Sequence, residues 1–175
     1  FYPHAPCPDI EQKYGLAGKY NIVHFGAMGK ANGLRYIIDA ARIFKEKGKH
    51  DVQFLFIGKG SAEQELRALA RQYDLNNVRF LGFLSKLEVV EIVNVCAVSI
   101  ISFLDLPVLY TNSPNKLFDS LAAGKVCLVN SKGWTKTLVE DNNCGFYVSP
   151  DSPMDVFDCI MTLRNNPALQ KHMQE

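Results

Sequence analysis

The residues best placed for chemistry lie between Ser113 and Gly124, in the run SPNKLFDSLAAG. Pro114 stands where a helix can begin, because a first turn does not need the N–H that proline lacks. Leu117, Phe118, Leu121 and Ala122 then recur at helical spacing, Asp119 falls off that stripe, and Gly124 closes the helix. The run before it, Ala97 to Phe103, reads as a buried strand. A loop that carries a strand into a helix N-terminus leaves backbone N–H groups unpaired and gathers partial positive charge, which suits an anion. Lys116 adds a full positive charge there. One turn further in, Asp119 offers a carboxylate that can accept hydroxyl hydrogens. Phosphate at the tip and a sugar hydroxyl one turn down is the pattern a nucleotide diphosphate presents.

Those residues need a scaffold, and the bulk properties bound it. A chain of 175 residues suits one domain with a real core. The net charge of +1 argues against a nucleic-acid partner, which usually meets a strong basic excess. No apolar run approaches the roughly 20 residues of a spanning helix, and no basic-then-apolar signal segment opens the chain. The five cysteines (Cys7, Cys96, Cys127, Cys144 and Cys159) form no CxxC or CxxH pair, so no zinc or redox motif is read and no metal is expected. Free thiols fit a reducing, cytoplasmic setting. The start at FYPHAPCPD, without an initiator methionine, is expected to be a cut from a longer protein.

Along the chain, residues 1–19 hold three prolines in their first eight positions and read as an irregular lead-in or interdomain linker. Asn21–Phe25 is an apolar strand, followed by the glycine loop GAMGKANG from Gly26 to Gly33. Leu34, Ile37, Ile38, Ala41 and Phe44 then mark an amphipathic helix. Val52–Ile57 is a second strand, ending at Gly58, and Ser61 is expected to cap the helix after it. Val78–Leu81 is a third strand, and Ser85 with Glu88 predicts a capping box. Strands at Ala97–Phe103, Val126–Asn130 and Phe146–Val148 follow, the last two separated by a short helix from Trp134. Residues 20–150 form the domain, and residues 151–175 add C-terminal helices expected to pack on it.

Six alternations of strand and helix with short connections predict an α/β fold, a doubly wound parallel six-stranded sheet in the order 3-2-1-4-5-6. The strands are continuous apolar runs, as a sheet covered on both faces requires. The first and fourth strands flank the point where the order reverses, so GAMGKANG and SPNKLFD converge on one crevice.

The glycines at 26, 29 and 33 do not follow the GxGxxG spacing of a dinucleotide site, and the second strand ends in FIGKG without the carboxylate that would hold a ribose. GKGS at Gly58–Ser61 lacks the frame of a P-loop, and no GxSxG elbow exists. A dehydrogenase, an NTPase and a serine hydrolase are thereby disfavoured. His24, inside the first strand, reads as a satisfied core histidine.

At these residues the chain resembles the C-terminal, donor-binding domain of a GT-B glycosyltransferase, of the retaining family 4 or glycosyl transferases group 1. NIVHFGAMGKANGLRYIIDAA, FLFIGKGSAEQELRALA, VRFLGFLSKLEVVEIVNVCAVSIIS and CGFYVSPDSPMDVFDCIMTL are similar to its successive strand–loop–helix units. SPNKLFDSLAAGKVCLV resembles the variant signature of a branch that builds bacterial capsule, O-antigen and exopolysaccharide. The resemblance implies a Rossmann-like half of a GT-B fold that binds a UDP- or GDP-sugar and needs no metal or other cofactor. It further implies a glycan or lipid-linked acceptor held by a missing N-terminal domain. A full enzyme at the inner face of the cell membrane, associated peripherally, follows from the same resemblance.

The match is incomplete at the site. The family signature pairs two glutamates; Asp119 matches the second, which holds the ribose, and Thr111 stands at the first. The basic residues that grip the phosphates fall at Ala27 and Asn32, and a further glutamate falls near Thr137. Lys30 and Lys116 are the available substitutes. The donor-binding set expected is therefore Gly26, Ala27, Met28, Gly29, Lys30, Gly58, Phe83, Leu84, Ser113, Pro114, Asn115, Lys116 and Asp119. In it, amides of the Gly26–Gly29 loop join Ser113, Asn115 and Lys116 around the pyrophosphate, and Phe83 and Leu84 line the base pocket by analogy. No catalytic residue is assigned. The alternatives are a non-catalytic nucleotide-binding module and a GT-B-fold sugar-nucleotide epimerase.

Overall fold

The computed structural model describes residues 1–175. Helix α1 (Pro8–Tyr14) leads into β1 (Tyr20–Phe25), α2 (Arg35–Glu46), β2 (Val52–Ile57), α3 (Glu63–Gln72) and β3 (Val78–Gly82). Then come α4 (Lys86–Val95), β4 (Val98–Ile101), α5 (Asn115–Ala122), β5 (Val126–Val129), α6 (Trp134–Asp141) and β6 (Gly145–Tyr147), and the chain ends in α7 (Pro153–Asn165) and α8 (Pro167–Gln174). All six strands are parallel, in the order β3-β2-β1-β4-β5-β6, as the sequence pattern predicts. With β1 and β4 adjacent, the loops after them meet at the carboxyl edge of the sheet.

The apolar runs make sense residue by residue, because successive side chains of a strand point to opposite faces. Ile22, Phe54, Phe56, Val98, Ile100, Val126 and Leu128 join one core with α2, α3, α7 and α8. Their neighbours in the strands, Val23, Phe25, Leu55 and Ile57, face the other side, under α4. Ile101, Cys127 and Val129 complete that side under α5 and α6. Phe44 is the hub of the larger core, wedged at 5.5 Å from Phe54 and 4.7 Å from Phe157. Truncating such a fully buried ring costs about 3–5 kcal/mol.

Three expectations are corrected. The lead-in is not irregular: α1 forms after Pro8, and Leu16 behind it is buried in the core. The helix is too short for its apolar period to be read. It is held instead by packing on α4, where Lys13 and Tyr14 both donate to Glu88 at 2.8 Å. Ser61 does not cap α3, whose N-cap is Ala62. The Ala62 amide donates to the Met28 carbonyl at 2.9 Å, so the start of α3 is tied to the glycine loop rather than to a serine side chain. Strand β4 stops at Ile101 because the Asn130 side chain takes both backbone groups of Phe103, at 2.8 Å each. The capping box at Ser85 and Glu88 forms as read.

Candidate functional site

Helix α5 begins after Pro114, whose extended backbone lets the chain turn in from the loop that follows β4. The amides of Asn115 and Lys116 open the helix and meet no protein acceptor. Leu117 faces the core and fixes the roll of the helix. That roll sends the Lys116 side chain back toward the end of β1. A Cβ built on Gly26 would stand 3.5 Å from Lys116 Nζ. The two motifs therefore touch.

The Lys116 Nζ is buried and has no hydrogen-bond partner. Burial lowers its pKa from 10.5 to about 8. An ammonium that has lost water and gained no partner is costly, and an entering anion would relieve the cost. Next to it, burial and then the Lys116 charge push His24 down to about 3, so His24 is neutral. Its ring nitrogens lie 3.2 Å from the Ile100 carbonyl and 3.4 Å from the Ala27 carbonyl. His24 is a core histidine, as read, and also a buttress under the glycine loop.

The loop after β1 offers less than expected. Of the four amides from Gly26 to Gly29, three are already used, by Ile57 O at 2.9 Å, Lys59 O at 2.9 Å and Asn32 Oδ1 at 3.1 Å. Only the Ala27 amide is without an acceptor. Met28 sends its side chain into the core. Asn32, where the family places a cation, is buried and bonds Gly29 N and Ser102 O. Gly58 acts by making room: its φ is +124°, and a Cβ there would fall 2.0 Å from the Gly26 carbonyl oxygen. Its amide donates to Gly82 O at 2.7 Å, which aligns the ends of β1, β2 and β3.

Beyond Gly82, Phe83 is 78% exposed, whereas Leu84 is half-buried against the core under α4. Ser113 and Asn115 are exposed, with side chains free of protein partners, and Asp119 makes no hydrogen bond or ion pair through its carboxylate. Thr111 is exposed and bonds only the Val108 carbonyl. Lys30 is exposed and lines a cavity of about 460 Å³ with Leu34, Tyr36, Leu66 and Leu104. Neither Gly26 nor Lys116 lines that cavity. No three histidine, cysteine or acidic side chains converge as a metal site would need. No helix is long and apolar enough to cross a membrane.

Two features escaped the sequence reading. The spent amides of the glycine loop depend on Lys59 and Ile57, which no local pattern ties to it. Trp134, at the start of α6, donates from Nε1 to the Asn112 carbonyl at 3.1 Å and stacks on Phe118. An exposed aromatic one turn into α5 was the available signal.

Comparison with known proteins agrees with this fold. Over 168 residues the chain is 23% identical to an alpha-D-kanosaminyltransferase of Streptomyces kanamyceticus, covering 95% of this chain and 42% of that protein. It thus spans less than half the length of this curated relative. The C-terminal domain of LpcC, a glycosyl transferase group 1 family protein of Francisella tularensis, superposes with a TM-score of 0.81 at 21% identity, covering 100% of this chain and 90% of that one. Anabaena HepE, solved with UDP and glucose, gives a TM-score of 0.81 at 20% identity over 99% of this chain and 47% of that one. The architecture is that of the Rossmann-like half of a GT-B glycosyltransferase. The description "Glycosyl transferases group 1" matches residues 8–175, and the chain belongs to that family.

Proposed function

We propose that this chain is the donor-binding half of a glycosyltransferase that moves a sugar from a nucleotide diphosphate sugar to a glycan or lipid-linked acceptor. The observation that carries the reading is the buried, unpartnered Lys116 ammonium at the N-terminus of α5, against Gly26. In the transfer, the bond from the anomeric carbon to the diphosphate oxygen breaks and a bond to the acceptor oxygen forms. Negative charge grows on the departing diphosphate. The Lys116 charge and the free amides of Asn115 and Lys116 are aimed where that charge would develop, and they are held there before reaction. Asp119, one turn on and unengaged, suits the ribose hydroxyls. The similar Anabaena HepE, solved with UDP and glucose and with UDP-glucose, supports this donor class.

The finer reading extends the same proposal. The diphosphate is held without metal, the anomeric configuration is retained, and the product is a bacterial surface polysaccharide made at the cytoplasmic face of the membrane. The acceptor and the catalytic groups belong to a second Rossmann-like half, so these 175 residues alone bind nucleotide weakly and turn over little. Calorimetric titration with UDP, GDP and ADP, repeated on Lys116→Ala, tests the reading. Binding of one nucleotide that weakens at least tenfold in the variant is the expected result; no binding to any of the three would overturn it.

A second reading is a nucleotide-binding module without catalysis. It is favoured by Asn32, which replaces a phosphate cation and is fully engaged in bracing the loop. Donor hydrolysis or transfer by the complete protein would eliminate that reading.

A further inference from the structure

The loop from Leu104 to Asn112, between β4 and α5, is anchored by little burial of its own. Leu104, Leu106 and Val108 are 41%, 47% and 77% exposed, and of its aliphatic side chains only Leu109 packs against the core. It is fastened from outside, mostly by the segment after β5. Asn130 clamps the backbone of Phe103, at the loop's entrance. Lys132 Nζ reaches Asp105 at 2.6 Å, and Tyr110 donates its hydroxyl to the same carboxylate. Gly133 lies flat against the loop, since a Cβ there would fall 2.0 Å from the Tyr110 carbonyl oxygen. Trp134 makes the last attachment, at Asn112, two residues before the N-cap of α5.

Trp134 holds α5 from two sides. Its Nε1–H takes the Asn112 carbonyl at 3.1 Å, upstream of the helix. Its ring stacks on Phe118, inside the first turns, with centroids 6.0 Å apart and planes 20° from parallel. Lys116 lies between those two points. We propose that Trp134 is a positioning residue: by gripping Asn112 and Phe118 together it sets the start of α5 and so places the Lys116 ammonium against Gly26. The proposal rests on the diphosphate reading of that cradle for its functional meaning, and on geometry alone for its structural content. It goes beyond the family signature, because Trp134 follows a different strand from the residues it places.

The test uses the 175-residue chain, with Trp134→Phe, which keeps a stacking ring and removes the donor. Lys116 is read in the ligand-free protein by its rate of acetylation with acetic anhydride, and the cradle by titration with UDP and with inorganic pyrophosphate. A released α5 start should expose the amine, so acetylation of Lys116 speeds up several-fold while the melting temperature stays within a few degrees. UDP and pyrophosphate should both weaken about fivefold, the worth of one ordinary hydrogen bond. In a Lys116→Met background the same substitution should change them less than twofold, because its effect runs through Lys116. An unchanged acetylation rate, or an equal loss of binding in both backgrounds, overturns the proposal. If the wild-type chain binds neither UDP nor pyrophosphate, the diphosphate reading falls and acetylation alone decides the positioning role.

Discussion

The loop after β1 and the loop before α5 both leave the sheet at the same crevice, and both carry the residue types of an anion site. They differ in what has been done with their donors. The first is closed on itself: three of its four leading amides, and the Asn32 side chain, are bonded within the protein. The second is open, with the Asn115 and Lys116 amides free and the Lys116 Nζ stripped of water and unpaired. A glycine-rich loop is therefore not automatically a phosphate cradle. Here the glycine loop is a wall, and the helix N-terminus it leans on is the element that keeps free donors.

The comparison can be broken most severely from the wall side. Gly58→Ala forces a Cβ onto the Gly26 carbonyl in a backbone conformation that L side chains avoid. A loss on the order of 3 kcal/mol or more is expected, measurable by urea denaturation. A cost under about 1 kcal/mol would show that the wall is soft.

Lys116→Met tests the open side, and its two effects have opposite signs. Nucleotide diphosphate binding should fall about 10- to 100-fold, as loss of a charged hydrogen-bond donor implies. Stability of the ligand-free chain should rise at pH 7 by on the order of 2 kcal/mol, since a buried charge is removed. The pH dependence follows from the lowered pKa. The folded state binds this proton less tightly than the unfolded state, so the penalty is full below about pH 8 and fades as pH rises toward 10.5. Melting curves of wild type and variant should accordingly converge at high pH, and wild-type binding should decline above about pH 8. Parallel curves from pH 6 to 11 would contradict the burial of this ammonium.

His24 gives a smaller effect on the acid side. Its pKa is depressed to about 3 from 6.5, so its neutral form stabilises the fold above pH 6.5, and that contribution is lost as pH falls toward 3. Replacing it with Gln should flatten the acid limb of the stability profile by up to about 1 kcal/mol per pH unit in that window. Least of all, Lys30→Ala should change nucleotide affinity less than about twofold, because an exposed, unpaired lysine contributes little. A tenfold loss would return the glycine loop to the binding site.

Much of this was legible in the residues. The continuous apolar strands, the alternation with amphipathic helices and the Ser85–Glu88 box all rest on local periodicity, and each reappears in the fold. The strand order followed from connection rules that leave few topologies open. The first helix was missed because seven residues are too few to show a period. The candidate site was legible in part: Asn115, Lys116 and Asp119 lie in the first turns of α5, as the spacing predicts. Met28 and Gly58 were expected in the donor-binding set, Met28 through its amide; that the Met28 side chain fills the core and Gly58 gives clearance was not legible, since burial and close approach leave no mark on spacing.

The sequence by itself determined the elements, their order and the place where two loops must meet, because periodicity and turn chemistry act between neighbours in the chain. Only the tertiary structure decided which loop keeps free donors. Whether an amide is spent depends on Lys59, Ile57 or Asn32 coming to it, and whether an ammonium is dry depends on how α5 is rolled and clamped. Those are contacts between distant segments, and the buried charge of Lys116 is their sum.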